Sequence, residues 1–514
     1  MVILKWLVYN SRKGGIKLTK NYEKLKEYLD RYQALNAALT LFAFDSDTYA
    51  PTEAFDLTTK VTSILSKEAF DIITSQEVKA LTEACGKEEL PEVEAKIVAE
   101  VSKQLEKMSR IPGDEFQASQ ILEKKSQAAW LEAKKKGDFS IFAPYLKDMI
   151  ETQKRFASYR QKPGQSLYEV LLDDFEPGMT EAAYDHFFEQ VKKEIVPLIH
   201  QISALNKEKP GFLSQHFDLD KQREFNTMLA KYIGFDPKRG KISETEHPYT
   251  TSLHNHDVRF TNHYYENQLD SAIFSTIHEG GHAIYEQQID DALTLTVLGG
   301  GTSSGMHESQ SRFMENCIGR SKAFWQPLYP KLVETFPEQL KDISLETFVA
   351  GINDARCSLI RTEADELTYP LHIVIRYELE KKMFENDIDV NELPAMWDDL
   401  YESYLGVRPD NVSQGILQDL HWSGGMFGYF PTYALGSAIA CQIYHYLCAH
   451  YPVEKWLLDG ELDHLKAWLK EHIHRFGGLK NTDEILTDAV GESFNPKYYI
   501  DYLVGKYSAL YDLE

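Results

Sequence analysis

The pentapeptide His-Glu-Gly-Gly-His at 278–282 constrains this chain more than any other segment. Residues four positions apart share one face of a helix, so His278 and His282 can bind one metal ion together. Neutral imidazole is a preferred zinc ligand, and zinc with three protein ligands and one open position makes hydroxide from bound water near neutral pH. Glu279 lies beside that water and is the expected general base. The segment therefore predicts a hydrolytic metal site.

The residues around the pentapeptide have the periodicity of a one-sided helix. Between Glu266 and Gln288 the apolar positions recur every three or four residues, at Leu269, Ile273, Ile277, Ile284 and Tyr285. Gly280 and Gly281 each cost such a helix about 1 kcal/mol relative to alanine. Glycine fits where another group approaches the backbone closely, and we expect that group to be the metal ion or a substrate strand.

A third protein ligand is expected from residues 299–310, which begin with three glycines and lead into a second helix. Ser303 or Ser304 can cap this helix. Glu308 lies near its N-terminal end, where the helix dipole favours a carboxylate. The glycine run lacks the Gly-Lys-Ser/Thr sequence of a phosphate loop, and a mobile connection is its simplest interpretation. Such a run allows the second helix to fold back over the first.

Two other carboxylates satisfy the ligand spacing. Glu286 lies one turn beyond His282, and Glu315 lies two turns beyond Glu308. Because Glu308 follows the glycine run directly, we predict His278, His282 and Glu308 as the metal ligands.

Six short motifs follow one another along the chain in a fixed order. They are His247-Pro248-Tyr249, Asp257-Val258-Arg259-Phe260-Thr261, the segment from His278 to Gln288, His307-Glu308-Ser309-Gln310, Ile360-Arg361-Thr362-Glu363-Ala364-Asp365 and Gly415-Ile416-Leu417-Gln418-Asp419-Leu420-His421-Trp422. Together they resemble the carboxypeptidase Taq family, also called thermostable carboxypeptidase 1, of metal-dependent carboxypeptidases. Tyr249 replaces the phenylalanine of the family's His-Pro-Phe motif. Two further departures are Phe44 in the family's Trp-Asp-x-x-Thr-x-x-Pro segment and the extension from Met1 to about Lys20.

The resemblance covers nearly the whole chain, because 130–133, 176–178 and 502–507 also look like family segments. It implies a mostly α fold, in which one large helical metallopeptidase domain has two lobes around a deep groove. We expect residues 21–514 to form this carboxypeptidase Taq-like catalytic domain and residues 1–20 to be an N-terminal extension. The resemblance also implies a homodimer and broad specificity.

Recognition of a free C-terminal carboxylate is best done by arginine, whose planar fork pairs with both oxygens. The resemblance gives this role to Arg361, within the Ile-Arg-x-x-Ala-Asp motif. Arg259 is a second candidate, and a structural salt bridge with Asp257 or Asp365 is its alternative interpretation.

Negative charge develops on the carbonyl oxygen during peptide cleavage, so a hydrogen-bond donor is expected beside the metal. Tyr433 and His247 are the candidates, and the family pattern favours Tyr433 over an ordinary core tyrosine. His421 and Gln418 are expected to bind the substrate backbone or to orient ligands. A buried structural histidine is the alternative for His421, because Trp422 is its neighbour.

Helical periodicity dominates the rest of the chain. A stripe of six apolar residues begins the pattern, at Leu25, Tyr28, Tyr32, Leu35, Leu39 and Phe42, and the segments 92–110, 115–137, 141–160, 181–206 and 345–386 also predict helices. Breaks fall at Pro112-Gly113, Pro163-Gly164 and Pro177-Gly178. The alternating stretch from Asp257 to Tyr265 predicts a strand or hairpin, which is the small β element near the active site.

Charge and cysteine content narrow the function further. A formal net charge of −24 argues against nucleic-acid binding, which needs a basic surface. Five widely spaced cysteines indicate reduced thiols in a cytoplasm rather than a disulfide framework. The opening segment 1–9 is too short and too interrupted for a signal peptide or membrane span, and no later apolar run is long enough to cross a bilayer.

The leading hypothesis is a cytoplasmic metallocarboxypeptidase that acts on peptides with a free C-terminus. It would hold one divalent ion per chain, zinc first, with cobalt and manganese as alternatives. An oligoendopeptidase uses related chemistry without needing a free C-terminus. Glu279-x-x-His282 also fits a di-iron bundle, although His278 would then have no role. A metal-stabilised scaffold without activity is the fourth hypothesis, and it leaves Glu279 unexplained.

Overall fold

Many helices of this chain begin at a polar side chain that caps the first turn. The computed structural model describes residues 17–385 and 388–513. Thr19, Ser75 and Ser303 each accept a hydrogen bond from the backbone N–H three residues further on. The first N–H groups of a helix have no partner within it, so each such cap stabilises its helix by about 1 kcal/mol.

The helices run through all of the described chain. In order they are α1 Lys20–Thr48, α2 Phe55–Ile73, α3 Gln76–Cys85, α4 Glu92–Ser109, α5 Gly113–Lys136, α6 Ala143–Arg160, α7 Leu167–Phe175, α8 Glu181–Ala204, α9 Leu219–Ile233, α10 Leu269–Gln288, α11 Ser304–Arg312, α12 Lys322–Thr335, α13 Pro337–Leu340, α14 Leu345–Ile352, α15 Tyr369–Glu385, α16 Leu393–Leu405, α17 Pro431–His450, α18 Val453–Leu458, α19 Asp463–His472, α20 Thr482–Val490 and α21 Lys497–Tyr511. A π-helical segment, Phe313–Ile318, continues α11.

A three-stranded sheet lies between α9 and α10 in the chain. Its strands are β1 Gly240–Glu244, β2 Thr250–His254 and β3 Asp257–Asn262, with β3 in the centre. β3 runs antiparallel to β2 and parallel to β1. Val258 and Phe260 of β3 are fully buried in a small core with Ala283 of α10. The predicted hairpin is therefore confirmed, and its apolar face fixes the sheet against the helix that carries the His-Glu-Gly-Gly-His segment.

Buried apolar side chains form one large core and a separate N-terminal one. The large core extends from Ala133 to Tyr511 and takes in most of the helices from α6 to α21. The N-terminal core joins α1, α3 and α4 to Ile289, Leu293 and Leu298, which follow α10. The N-terminal helices are thus packed against the segment that leads from the first predicted metal-binding helix to the second.

Most helices predicted from periodicity are confirmed, including the stripe from Leu25 to Phe42 within α1. The single helix expected over 345–386 is wrong, because α14 ends at Ile352 and α15 begins at Tyr369. Asp365 accepts hydrogen bonds from three backbone N–H groups in the intervening segment, and Pro370 fits the first turn of α15. Apolar periodicity on both sides concealed this break.

The predicted class, mostly α with a small sheet beside the predicted site, is confirmed. No helix in the described ranges has both the length and the apolar character that crossing a bilayer requires. Residues 1–16, which make up most of the predicted extension and include the 1–9 segment, lie outside the described residues.

Candidate active site

Helix α10 places His278 and His282 side by side, with ring centroids 5.0 Å apart. Both Nε2 atoms face Oε2 of Glu308 on α11, at 3.7 Å from His278 and 3.3 Å from His282. One ligand atom from each residue lies within 4.8 Å of the other two. The structure therefore brings the three predicted ligands together, and two imidazole nitrogens with one carboxylate oxygen form a donor set that suits a divalent metal ion.

Other metal-binding arrangements receive no support in the described ranges, where no second group of three or more His, Cys, Asp or Glu side chains converges in this way. The remaining Glu-x-x-His pairs, at Glu244/His247, Glu461/His464 and Glu471/His474, contribute no side chain to this group of three. A di-iron centre needs more carboxylates than this cluster supplies.

The glycine run between the two helices is anchored rather than loose. The N–H of Gly301 donates to Oε1 of Glu286 at 3.1 Å, and the N–H of Thr302 donates to the Tyr285 hydroxyl at 3.2 Å. Ser303 then caps α11 through the N–H of Met306. The predicted return of the second helix over the first is confirmed, and the end of the glycine run is hydrogen-bonded to the first helix.

Glycines allow the site helices to approach each other closely. A Cβ on Gly281 would lie 2.7 Å from the Gln310 carbonyl oxygen of α11. A Cβ on Gly436 of α17 would lie 2.6 Å from Cβ of Glu308. The close approach predicted at Gly280 and Gly281 is confirmed. The expected partner was wrong, because Ile233 and the α11 backbone, rather than a metal or substrate strand, occupy these positions.

The two alternative candidates for the third ligand, Glu315 and Glu286, lie on the side of the histidines that faces away from Glu308. Oε2 of Glu315 accepts a 2.8 Å hydrogen bond from Nδ1 of His278, on the ring edge away from Glu308. Glu286 lies 3.0 Å from Nε2 of His307, which in turn contacts His282. Both carboxylates therefore orient imidazole rings in this arrangement.

Burial and neighbouring charges act in opposite directions on the pKa values of the three predicted ligands. Burial opposes ionisation of the Glu308 carboxyl, but Arg312 and the two histidines outweigh it and lower the pKa of Glu308. Burial also opposes protonation of His278, yet Glu308 and Glu315 raise the pKa of this imidazole overall. Burial lowers the pKa of His282, which favours its neutral, metal-binding form. The same field that attracts a proton to His278 attracts a cation.

Glu279 lies next to this cluster and is only 7% exposed. Oγ1 of Thr250 on β2 donates a 2.6 Å hydrogen bond to Oε2 of Glu279 and also lies 3.0 Å from its carbonyl oxygen. The sheet therefore fixes the orientation of the carboxylate that the sequence predicts as a general base.

Arg361 lies in a buried cluster with an excess of positive charge. Its Nε and Nη2 donate to Oδ1 of Asp419 at 3.1 and 2.9 Å, and its Nη1 donates to the Tyr369 hydroxyl at 3.1 Å. Oδ2 of Asp419 is bound by the fully buried Arg376. Two guanidinium groups thus share the carboxylate of Asp419.

Tyr369 connects this cluster to the metal-binding residues. The Arg312 guanidinium lies over the Tyr369 ring at 4.4 Å, and Nε of Arg312 donates to Oε1 of Glu308 at 2.8 Å. The opposite end of Tyr369 contacts Arg361. The two expected halves of the site are therefore linked through one aromatic side chain.

Tyr433, His421 and Gln418 surround Arg361. The Tyr433 ring lies 4.9 Å from the Arg361 guanidinium, and burial raises the pKa of this phenol, which keeps its proton available. Nε2 of His421 lies 3.4 Å from the Tyr433 hydroxyl, and its Nδ1 is buried without a hydrogen-bond partner in the described ranges. Oε1 of Gln418 accepts the Arg361 backbone N–H at 2.9 Å.

His247 and Arg259 are not part of this grouping. His247 is exposed on the loop between β1 and β2, and no hydrogen bond within the described residues joins its side chain to the cluster. Arg259 forms a bidentate pair with Asp257, with both nitrogen–oxygen distances 2.8 Å, and lies over the Phe44 ring. This pairing matches the structural interpretation of Arg259 that the sequence left open.

The sequence did not indicate the roles of Arg312, Thr250 and Asp419. Arg312 lies four residues after Glu308, and this spacing on a helix is a recognisable signal for an ion pair. Asp419 lies within a predicted motif, although nothing local connects it to Arg361. Thr250 contacts a residue 29 positions away and has no sequence signal of its own.

Known proteins are similar to this sequence over nearly its full length. A family model described as carboxypeptidase Taq (M32) metallopeptidase matches residues 24–507. Carboxypeptidase 1 of Bacillus subtilis is 45% identical over 498 residues, which cover 95% of this chain and 99% of that protein. Thermostable carboxypeptidase 1 of Pyrococcus furiosus is 35% identical over 497 residues, which cover 94% and 98%.

Solved structures show the same fold. The M32 carboxypeptidase from Deinococcus radiodurans R1 matches with a TM-score of 0.93 and 32% identity, covering 96% of this chain and 100% of that chain. A Pyrococcus furiosus carboxypeptidase matches with a TM-score of 0.92 and 34% identity, with the same coverage. Fold and site together define a helical metallopeptidase. The chain belongs to the carboxypeptidase Taq (M32) family, and the predicted family and enzyme class, metal-dependent carboxypeptidase, are confirmed.

Proposed function

We propose that the chain is a zinc-dependent carboxypeptidase that releases C-terminal residues from peptides with broad specificity. The convergence of His278, His282 and Glu308 beside Glu279 carries this proposal. The buried, positively charged Arg361 cluster supports recognition of a free carboxylate.

The metal-binding residues in this proposal are His278, His282 and Glu308, with one ion per chain. Zinc accepts nitrogen and oxygen ligands of this kind, and cobalt or manganese fit the same donors. A bound ion supplies Lewis-acid chemistry, because it acidifies a water molecule and polarises the peptide carbonyl. The family relationship supports a divalent ion, and the donor set supports zinc.

Glu279 acts as the general base and then as the general acid. Because Thr250 binds its Oε2, the carboxylate keeps one orientation while Oε1 accepts a proton from the attacking water. Glu279 then passes this proton to the leaving amine. The hydrogen bond from Thr250 on β2 orients the carboxylate before the reaction begins. Less conformational freedom is then lost on reaching the transition state.

Arg361 binds the terminal carboxylate of the peptide. One Asp419 neutralises only one of the two buried guanidinium groups, so an incoming carboxylate completes the charge balance. The Arg361 backbone is fixed by Gln418, and His421 lies beside Tyr433 at the edge of this cluster. Arg259 already pairs bidentately with Asp257, and we assign it to support of the sheet.

Tyr433 donates the hydrogen bond that stabilises the developing oxyanion. Its phenol stays protonated because burial raises its pKa, and its ring stacks beside Arg361, where the last peptide unit would lie. We assign this contact to Tyr433 rather than to His247, which is exposed on the β1–β2 loop.

We further propose a cytoplasmic homodimer in which residues 21–514 form one catalytic domain and residues 1–20 form an extension. All five cysteines are free thiols, as expected in a reducing compartment. The family match begins at residue 24, which supports the boundary of the extension. The dimer is taken from the family resemblance, and size-exclusion chromatography with light scattering tests it.

Product analysis on one peptide tests the activity. The peptide is supplied with free ends, with an amidated C-terminus and with an acetylated N-terminus, to protein before chelation, after chelation and after zinc restoration. We expect stepwise release from the C-terminus that is insensitive to acetylation and is abolished by amidation and by chelation. Internal cuts that ignore both ends would make the chain an endopeptidase, and no cleavage by metal-loaded protein would contradict the proposal.

A further inference from the structure

A second imidazole stands behind one of the predicted metal ligands. Nδ1 of His307 lies 2.6 Å from Nδ1 of His282, on the ring edge away from Glu308. On its other edge, Nε2 of His307 lies 3.0 Å from Oε1 of Glu286, which is 5% exposed. The three side chains form a continuous row of hydrogen bonds that ends at the predicted metal position.

The contacts of Glu286 set the direction of its bond to His307 and, for a neutral His307, the direction of the bond to His282 as well. Oε1 of Glu286 accepts the N–H of Gly301 at 3.1 Å, so it serves as an acceptor. Nε2 of His307 must therefore carry the proton and donate it to Glu286. The Nδ1 atom of a neutral His307 is then an acceptor, and it binds the Nδ1–H of His282. The reverse assignment would place two acceptors 3.0 Å apart, at Nε2 of His307 and Oε1 of Glu286.

We propose that His307 is a positioning residue for the metal site, which places the proton of His282 on Nδ1 and leaves its Nε2 lone pair free for the metal ion. This assignment rests on the proposed function. Because His307 immediately precedes Glu308 on α11, one turn of helix supplies the third ligand and also orients the second.

The surroundings of His307 restrict its ring to this role. A Cβ on Gly301 would lie 2.6 Å from Cδ2 of His307, so only glycine at this position leaves the imidazole in place. The Tyr285 ring also packs against His307, with the two ring centroids 5.2 Å apart. The anchored glycine run and α10 together prevent the imidazole from leaving the row.

The other histidine ligand is oriented differently. Nδ1 of His278 donates directly to the Glu315 carboxylate, without an intervening ring. A relayed contact to Glu286 polarises His282 less strongly than a direct carboxylate contact polarises His278. The tautomers of the two ligands are therefore fixed by different groups. Only the tautomer of His282 depends on His307.

Cobalt binding by the full-length, metal-free chain tests this inference without using activity. Co²⁺ is titrated into wild type, His307→Leu and His307→Asn, and visible absorption reports the ligand field and the affinity. His307→Leu removes the acceptor for His282, so we expect its Co²⁺ affinity to fall about 10- to 100-fold. His307→Asn can place its amide oxygen near the former Nδ1, and we expect it to regain most of this loss.

His474→Leu is the matched control. The buried His474 also bridges α10 and α11, through Gln288 and Gln310, but it contacts none of the three predicted ligands. Its Co²⁺ affinity should equal that of wild type. An equal loss in His474→Leu, or His307→Leu affinity within about threefold of wild type, would overturn the role of His307.

Glu286→Gln keeps the test decisive if His307→Leu does not fold, as judged by circular dichroism of the metal-free chain. A glutamine amide can donate to Nε2 of His307 and so permits the reverse tautomer. We expect weaker Co²⁺ binding in Glu286→Gln, and unchanged binding would overturn the inference. A wild-type chain that binds neither Co²⁺ nor Zn²⁺ would instead contradict the proposed function itself, and the positioning role with it.

Discussion

Nε of Arg312 donates a 2.8 Å hydrogen bond to Oε1 of Glu308. This contact holds one carboxylate oxygen and leaves Oε2 directed at the Nε2 atoms of both histidines. The same guanidinium reaches Oε2 of Glu315 with Nη1 at 3.0 Å. One partly buried arginine thus contacts both a predicted metal ligand and the carboxylate that orients His278.

Arg312→Lys should weaken the metal site and the fold together. Lysine cannot make the two divergent contacts, so Zn²⁺ affinity should fall about 10- to 100-fold. The buried carboxylates of Glu308 and Glu315 would also lose part of the hydrogen-bonded positive charge that offsets their burial. We expect this loss to lower the free energy of unfolding by about 3 kcal/mol. Chelator competition and urea unfolding measure the two effects.

Arg223→Lys is the control for this substitution. Arg223 also bridges two carboxylates, Asp220 and Glu244, but at the exposed surface. Its replacement should cost less than about 1 kcal/mol and leave metal affinity unchanged. Equal effects of the two substitutions would contradict the role given to Arg312.

Glu279→Gln should remove turnover while leaving the metal bound. General acid–base catalysis contributes about 10²- to 10⁴-fold, and kcat should fall by that factor at unchanged Zn²⁺ content. Steady-state kinetics with metal analysis checks both quantities. Thr250→Val, which removes only the hydrogen bond to Glu279, should cost far less. Retained turnover in Glu279→Gln, or loss of its metal, would exclude Glu279 as the base.

Arg361→Lys should reduce recognition of the free C-terminus. Lysine keeps the positive charge but cannot pair with both oxygens of a carboxylate, and we expect this loss to cost about 2 kcal/mol, so kcat/KM on a free peptide should fall about 30-fold. Any residual cleavage of the amidated peptide should change much less. Arg259→Lys, which alters another arginine–aspartate pair, should leave the ratio between the two peptides unchanged. Proportional losses on both peptides would reject Arg361 as the carboxylate-binding residue.

The buried His474 should make the fold sensitive to acid. Burial, with a further contribution from His307, lowers the pKa of His474 from 6.5 to about 3. Between these pH values the unfolded chain binds a proton that the folded chain does not, so stability falls as pH falls. His474→Leu has no such proton to bind. Over that range its free energy of unfolding should therefore fall less steeply than that of wild type as the pH is lowered, by about 1.4 kcal/mol per pH unit.

Urea unfolding of the metal-free chain at several pH values measures this slope. His464→Leu is the control, because solvent reaches the exposed His464 in both the folded and the unfolded chain. Wild type and His474→Leu with parallel stability profiles between pH 6.5 and 3 would show that the imidazole does not stay neutral in the folded state.

Local sequence signals predicted the parts of this molecule that depend on local contacts. Helical periodicity, the His278/His282 spacing and the cap at Ser303 act within a few turns, and each is found in the structure. The convergence of Glu308 with the histidines was predicted because the glycine run at 299–301 precedes the second helix and allows it to fold back over the first. In these cases the chain has few alternatives to the observed geometry.

Contacts between distant segments were not predictable in the same way. The pairing of Asp419 with both Arg361 and Arg376 joins three separate elements, and the Thr250–Glu279 contact depends on how the sheet packs against α10. The break between α14 and α15 was missed because the apolar face of α14 is followed closely by the largely buried α15, so their apolar patterns run together. Packing, rather than local preference, decides these features.

The close approaches at Gly281 and Gly436 set the limits within which this site can be redesigned. Helix α11 is held between two neighbouring helices at distances where no side chain fits, so the place of Glu308 is set by backbone against backbone. An engineer who wishes to accommodate a larger ion could not do so by exchanging a ligand rotamer. Helix α11 would have to shift as a whole, and α10 and α17 would have to move with it.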